Sequence, residues 1–131
     1  MQAGPIEYEN VTQEVTSVLE RAIAAAEDAG VLKERIWIDP GIGFGKNLQH
    51  NLSLTRSVGQ LVETGCRVLY GPSRKRFLGE ITGRDVTDRD RATAAACAIA
   101  AYEGADIFRV HSIAAVHDAI EVAYALRTNR R

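Results

Sequence analysis

Three short runs of β-forming residues recur along the chain, roughly 30 residues apart, and a helical period fills each interval. The runs are 35–40 (Arg-Ile-Trp-Ile-Asp-Pro), 67–71 (Arg-Val-Leu-Tyr-Gly) and 106–111 (Asp-Ile-Phe-Arg-Val-His). Strands that alternate with helices fold into a parallel sheet with right-handed crossovers, because only that path packs each helix back onto the sheet. The order is αβαβαβα. At 131 residues and 14.3 kDa the chain fits one domain.

The first helix is predicted over 11–29, with Val11, Val15, Val18, Leu19, Ala22 and Ala26 on its apolar stripe. Asn10 is its N-cap, with Gln13 three residues on, and Gly30 stops it. A second helix carries Leu48, Leu52, Leu54, Val58, Leu61 and Val62 up to Gly65. Residues 73–77 read as a basic loop and 83–89 as a polar stretch without an apolar period. Asp88 or Thr87 then caps an Ala-rich helix that ends at Gly104. The last helix spans about 114–126, and Arg127, Arg130 and Arg131 suit its C-terminal dipole. Trp37, Cys66 and Cys97 are assigned to packing, and His50 and His117 to exposed helix positions.

Charge excludes some partners. Sixteen Lys and Arg against seventeen Asp and Glu leave a formal charge of −1, so no global field draws the chain to nucleic acid or a membrane. No apolar stretch approaches the ~20 residues of a membrane span. The first residues lack the basic-then-apolar order of a signal peptide. Two distant cysteines without a CxxC pattern predict reduced thiols and a cytoplasmic protein.

Any anion site must therefore come from locally placed cations, and the strand ends supply them. Ligands of parallel α/β folds bind beyond the carboxyl ends of the strands. The first strand ends in Asp39 and the loop Gly-Ile-Gly-Phe-Gly-Lys over 41–46; the second in Gly71 and Ser73, Arg74, Lys75 and Arg76; the third in Arg109 and His111. The glycine loop matches neither a Rossmann fingerprint nor a Walker A loop. Its glycines serve a tight turn, while Asp39, fixed by Pro40, is a functional carboxylate. Arg109 and His111, two apart on a strand, leave by one face about 6–7 Å apart, with Ile107 on that face and Phe108 and Val110 on the other. An Arg fork beside an imidazole suits a phosphate or diphosphate. The bland alternatives are an internal salt bridge from Arg109 to Asp106 or Glu103, and a solvated basic loop at 73–76.

Asp-Pro-Gly-Ile-Gly-Phe-Gly-Lys at 39–46, Gly-Pro-Ser-Arg-Lys-Arg-Phe-Leu-Gly at 71–79 and Arg-Val-His at 109–111 together resemble the second half of dihydropteroate synthase. The resemblance runs through essentially the whole chain. It implies the C-terminal portion of a (β/α)8 TIM barrel and the condensation of 6-hydroxymethyl-7,8-dihydropterin diphosphate with p-aminobenzoate to 7,8-dihydropteroate and diphosphate, a step of folate synthesis and a sulfonamide target. It assigns Asp39, Phe44, Gly71, Lys75 and Arg109 to the pterin, Arg109 and His111 to the diphosphate, and Phe44, Arg74 and Arg76 to p-aminobenzoate. Lys75, Arg109 and His111 then carry catalysis. The family also implies Mg²⁺, with its ligand in an N-terminal loop rather than in this sequence, and a homodimer through C-terminal helices.

Two departures set further expectations. A complete barrel needs about 250 residues and eight strands. The 131 residues are thus expected to form a single partial pterin-binding domain without the N-terminal half, from an internal start, a truncated gene or a partial chain. Such a piece exposes sheet edges, is expected to self-associate or require the other half, and is poorly active alone. Ser112 stands where the family usually has Asp, which predicts a changed orientation of His111. The competing readings are the pterin-binding domain of a corrinoid methyltransferase and a non-catalytic pterin- or anion-binding module.

Overall fold

The structure is a computed structural model and describes residues 6–129. Residues 1–5, and with Arg130 and Arg131 most of the cationic tail, lie outside the described residues.

Strands β1 (Trp37–Ile38), β2 (Arg67–Tyr70) and β3 (Ile107–Phe108) form a parallel sheet in the order β1-β2-β3. Trp37 pairs with Arg67 and Leu69 with Ile107 in register. The helices are α1 (Val11–Asp28), α2 (Leu48–Arg56), α3 (Val58–Val62), α4 (Arg76–Thr82), α5 (Asp90–Glu103) and α6 (Ile113–Thr128). Strand order follows chain order, as expected of successive crossovers turning the same way around an arc.

The strand period of two divides the sheet into two unlike faces. Ile38, Val68 and Tyr70 are buried on the helical side, where Phe108 and Val110 also join the core. Leu54, Val58 and Leu61 from α2 and α3 and Cys97 and Ala100 from α5 fill the space above them. The small side chains of α5 let α6 pack closely against it. Trp37 was expected in this core, but its alternation puts it on the opposite face, where it is 56% exposed.

Several boundaries differ from the sequence reading. The first and third strands are each two residues long, and Asp39, Arg109 and His111 lie beyond their ends. The second predicted helix breaks at Ser57, whose N–H is shared between the carbonyls of Ser53 and Leu54. On α1 the buried line runs through Val11 and Ile23 with Val15 and Leu19 half-buried, while Val18 is exposed. The basic run hid α4, which buries Phe77 and Leu78. The cap of α5 is Arg89 rather than Asp88 or Thr87, and it caps through its backbone. His50 is half-buried, closing a reciprocal cap with Asn47. Asn10 caps α1 through Gln13, as expected.

Cys66 and Cys97 are both buried and free. Burial pushes the Cys97 thiol up to about 12 from an ordinary 9.0, and burial likewise raises Tyr70. Both groups are neutral when folded, and the unfolded chain loses their protons first. Their stabilisation is complete below pH 9 and is lost as pH rises from there toward 12. Urea midpoints measured between pH 8 and 11 should fall with pH, and Cys97→Ala should flatten that fall.

Candidate functional site

All three strand ends open on one rim, and its lining begins with the loop after β1. Asp39 accepts the Gly41 N–H through Oδ1 at 2.8 Å, fixing the carboxylate at the turn. Gly41, Gly43 and Gly45 all have positive φ, a conformation that costs other residues about 1–2 kcal/mol. Gly43 is constrained twice, since a Cβ there would stand 2.5 Å from Cδ of Lys75. Gly43 therefore lets the Lys75 stem lie against the loop backbone.

Two residues that sequence reasoning passed over hold this loop. Lys46 donates to the carbonyls of Gly41 and Phe44, each at 3.0 Å. Asn51, 2% exposed on α2, accepts the Gly43 N–H at 2.8 Å and donates to the carbonyls of Lys46 and Asn47. The signal for Asn51 was present: it is a polar residue at helical spacing from Leu54, Thr55 and Val58, on the line that is buried.

The second strand end brings Lys75 to the first. Its ammonium lies 3.7 Å from the Phe44 ring centroid, a cation–π contact on a ring that is 60% exposed. Burial, then the neighbouring Arg109, hold the Lys75 ammonium below its ordinary 10.5, and Asp39 opposes them. Lys46 is lowered mainly by burial, with Asp39 opposing and Lys75 reinforcing. Asp39, Lys46, Lys75 and Arg109 thus share one electrostatic field.

The third strand end completes the rim. The Arg109 guanidinium lies against buried Gly71, 3.5 Å from where a Cβ would stand. No carboxylate among the described residues pairs with Arg109; Asp106 instead accepts the Val68 N–H. The Nδ1 of His111 is 2.7 Å from the Ser73 hydroxyl, which also accepts the His111 N–H at 3.0 Å. Ser73 therefore orients His111. Ser112 caps α6 by accepting the Ala115 N–H.

Arg74 and Arg76 are placed differently from the rest. Arg74 has φ 58° and closes a two-point ion pair with Asp90 at 2.8 and 3.0 Å. That pairing holds the Asp90 carboxyl below its ordinary value. Arg76 opens α4, almost fully exposed, and pairs with Glu80 at 2.7 Å. The structure gathers Asp39, Phe44, Gly71, Lys75 and Arg109, sets His111 on Ser73 at the same rim, and pairs Arg74 with Asp90 through two nitrogens and Arg76 with Glu80 through Nε. Among the described residues no group of three or more His, Cys, Asp or Glu side chains is placed to hold a metal ion.

A carboxylate at one side, a partly desolvated ammonium on an aromatic ring, an Arg that no described carboxylate pairs, and a His held by Ser73 define an anion- and heterocycle-binding mouth at the carboxyl ends of parallel strands. The model of pterin binding enzymes matches residues 1–111, and the chain belongs to that family. Dihydropteroate synthase of Streptococcus pyogenes serotype M6 is 43% identical over 117 residues, which is 88% of this chain and 44% of the relative. Dihydropteroate synthase of Stenotrophomonas maltophilia, solved with imidazole bound at its active site, superposes with a TM-score of 0.91 at 43% identity, covering 100% of this chain and 49% of that one. The Xanthomonas albilineans enzyme in complex with 7,8-dihydropteroate gives a TM-score of 0.89 at 43% identity, covering 95% and 48%. The chain spans about half the length of these relatives, and its three-stranded parallel sheet is a partial (β/α) barrel.

Proposed function

We propose that this mouth binds 6-hydroxymethyl-7,8-dihydropterin diphosphate and p-aminobenzoate and serves their condensation to 7,8-dihydropteroate. The observation that carries the reading is the convergence of Asp39, Lys75 and Arg109 from three strand ends into one field. Asp39 accepts from the amino and ring N–H groups of the pterin, and Lys75 donates to the ring acceptors. Arg109 and His111 grip the diphosphate. As the carbon–oxygen bond to diphosphate breaks, negative charge grows on the leaving group, and these donors stabilise it more than they stabilise the bound substrate. The amine of p-aminobenzoate then attacks the pterin methylene, and Phe44 presents an aromatic face that keeps the rings aligned. No side chain acts as a nucleophile. Arg74 reaches the aminobenzoate carboxylate with the N–H groups that Asp90 does not take, and Arg76, paired with Glu80 through Nε, does so with its Nη groups.

The reading extends to assembly and setting. Val122 and Leu126, four apart on α6, are 60% and 62% exposed, which supports self-association. No helix among the described residues is long and apolar enough to cross a membrane, and a cytoplasmic setting accords with two buried free thiols.

The test is titration of the chain with the pterin diphosphate, followed by addition of p-aminobenzoate. Saturable binding of the diphosphate ester is expected, with little turnover by this length of chain. Binding of methyltetrahydrofolate in its place would favour the corrinoid methyltransferase reading, and failure to bind either would refute the proposal.

A further inference from the structure

Arg74 receives contacts on its backbone and its side chain from a single turn of helix. Its N–H donates to Thr93 Oγ1 at 3.1 Å, and its carbonyl accepts from Arg89 Nη1 at 3.0 Å. Its guanidinium donates twice to Asp90. Thr93 is 1% exposed, so its hydroxyl is a fixed acceptor rather than a solvated one. Among the described residues Arg74 is the one residue other than glycine with positive φ, a conformation that persists only where its surroundings hold it. The residues on either side of it are the ones that reach the mouth. Ser73 holds His111, and Lys75 lies over Phe44.

We propose that Arg89, Asp90 and Thr93 are positioning residues that clamp Arg74 in its left-handed conformation and thereby aim Ser73 and Lys75 into the mouth. The clamp deepens the functional reading above, since it matters for catalysis only if the mouth is the diphosphate site. It also accounts for Gly79, which the mouth does not touch. The guanidinium of Arg89 passes against Gly79 on its way to the carbonyls of Arg84 and Arg74, and a Cβ at 79 would fall on that guanidinium. Gly79 keeps the path open. The Lys75 N–H also donates to the Pro72 carbonyl at 3.0 Å, closing a turn in which Arg74 is the third residue, and the clamp secures that turn from the side of α5.

The experiment compares Thr93→Val, Thr93→Ser and Gly79→Ala in the full chain. The first readout is the NMR shift of the Lys75 ε-methylene protons, which the Phe44 ring displaces when the ammonium lies over it. The second is affinity for inorganic diphosphate, and urea unfolding is recorded alongside. In Thr93→Val and Gly79→Ala the ring-displaced signal is expected to collapse and diphosphate affinity to weaken at least tenfold. Thr93→Ser, which keeps the acceptor, retains both. Gly79→Ala keeps the test decisive if Thr93→Val does not fold, because alanine favours helix at that position. An undisturbed Lys75 signal in either variant overturns the clamp, as does equal loss in Thr93→Ser. If the unaltered chain ignores diphosphate, the functional reading fails while the Lys75 signal still decides the clamp.

Discussion

Replacing Lys75 with methionine is expected to weaken binding of the pterin diphosphate about 100-fold while leaving the urea midpoint unchanged or slightly raised. The two halves of that expectation have one cause. The ammonium is partly desolvated and faces Arg109, so the folded chain holds it at a disadvantage that bound anion and ring acceptors relieve. Truncating one partner of a desolvated charged contact costs about 2–5 kcal/mol of binding, a range that includes the 100-fold loss. Methionine keeps an unbranched stem against Gly43 and Phe44, so little packing is lost. A pH series adds a second check. Because the folded ammonium titrates below its ordinary 10.5, affinity for the anion should begin to fall before pH 10.5 in the unaltered chain, and this Lys75 component should be absent in Lys75→Met. An equal loss of stability and affinity in Lys75→Met would mean that the residue is structural.

The second large effect is expected at a residue that touches no ligand. Asn51→Ala removes the acceptor of the Gly43 N–H and the donor to two carbonyls, all at a side chain that is 2% exposed. Leaving such groups unpaired, with a small cavity beside Leu54 and Thr55, should cost about 3 kcal/mol. The loop then no longer fixes Phe44 beneath Lys75, so anion affinity falls at least tenfold as well. Equilibrium urea unfolding measures the first and titration with diphosphate the second. A stable Asn51→Ala chain would show that Lys46 alone secures the loop.

These residues mark where sequence reasoning stops. Asp39, Lys75, Arg109 and His111 were legible because strand period and crossover handedness are local properties, and parallel strands place their ends at one rim whatever the details of packing. The glycines of 41–45 were readable as a turn, yet the room that Gly43 leaves for Lys75 was not, because the contact joins loops some 30 positions apart. Helix α4 was missed because a seven-residue helix behind a basic run shows too little period to recognise.

The sequence by itself determined the strand order, the rim and most of the chemistry gathered there, since periodicity and chirality act within a few residues. The tertiary structure alone decided which charges remain available. Arg74 and Lys75 are neighbours of like charge, but one is held by Asp90 and the other lies over Phe44. It likewise decided that Trp37 faces away from the helices. Electrostatic pairing and burial depend on distances in space, and a spacing of sixteen residues between Arg74 and Asp90 carries no information about them until the chain has folded.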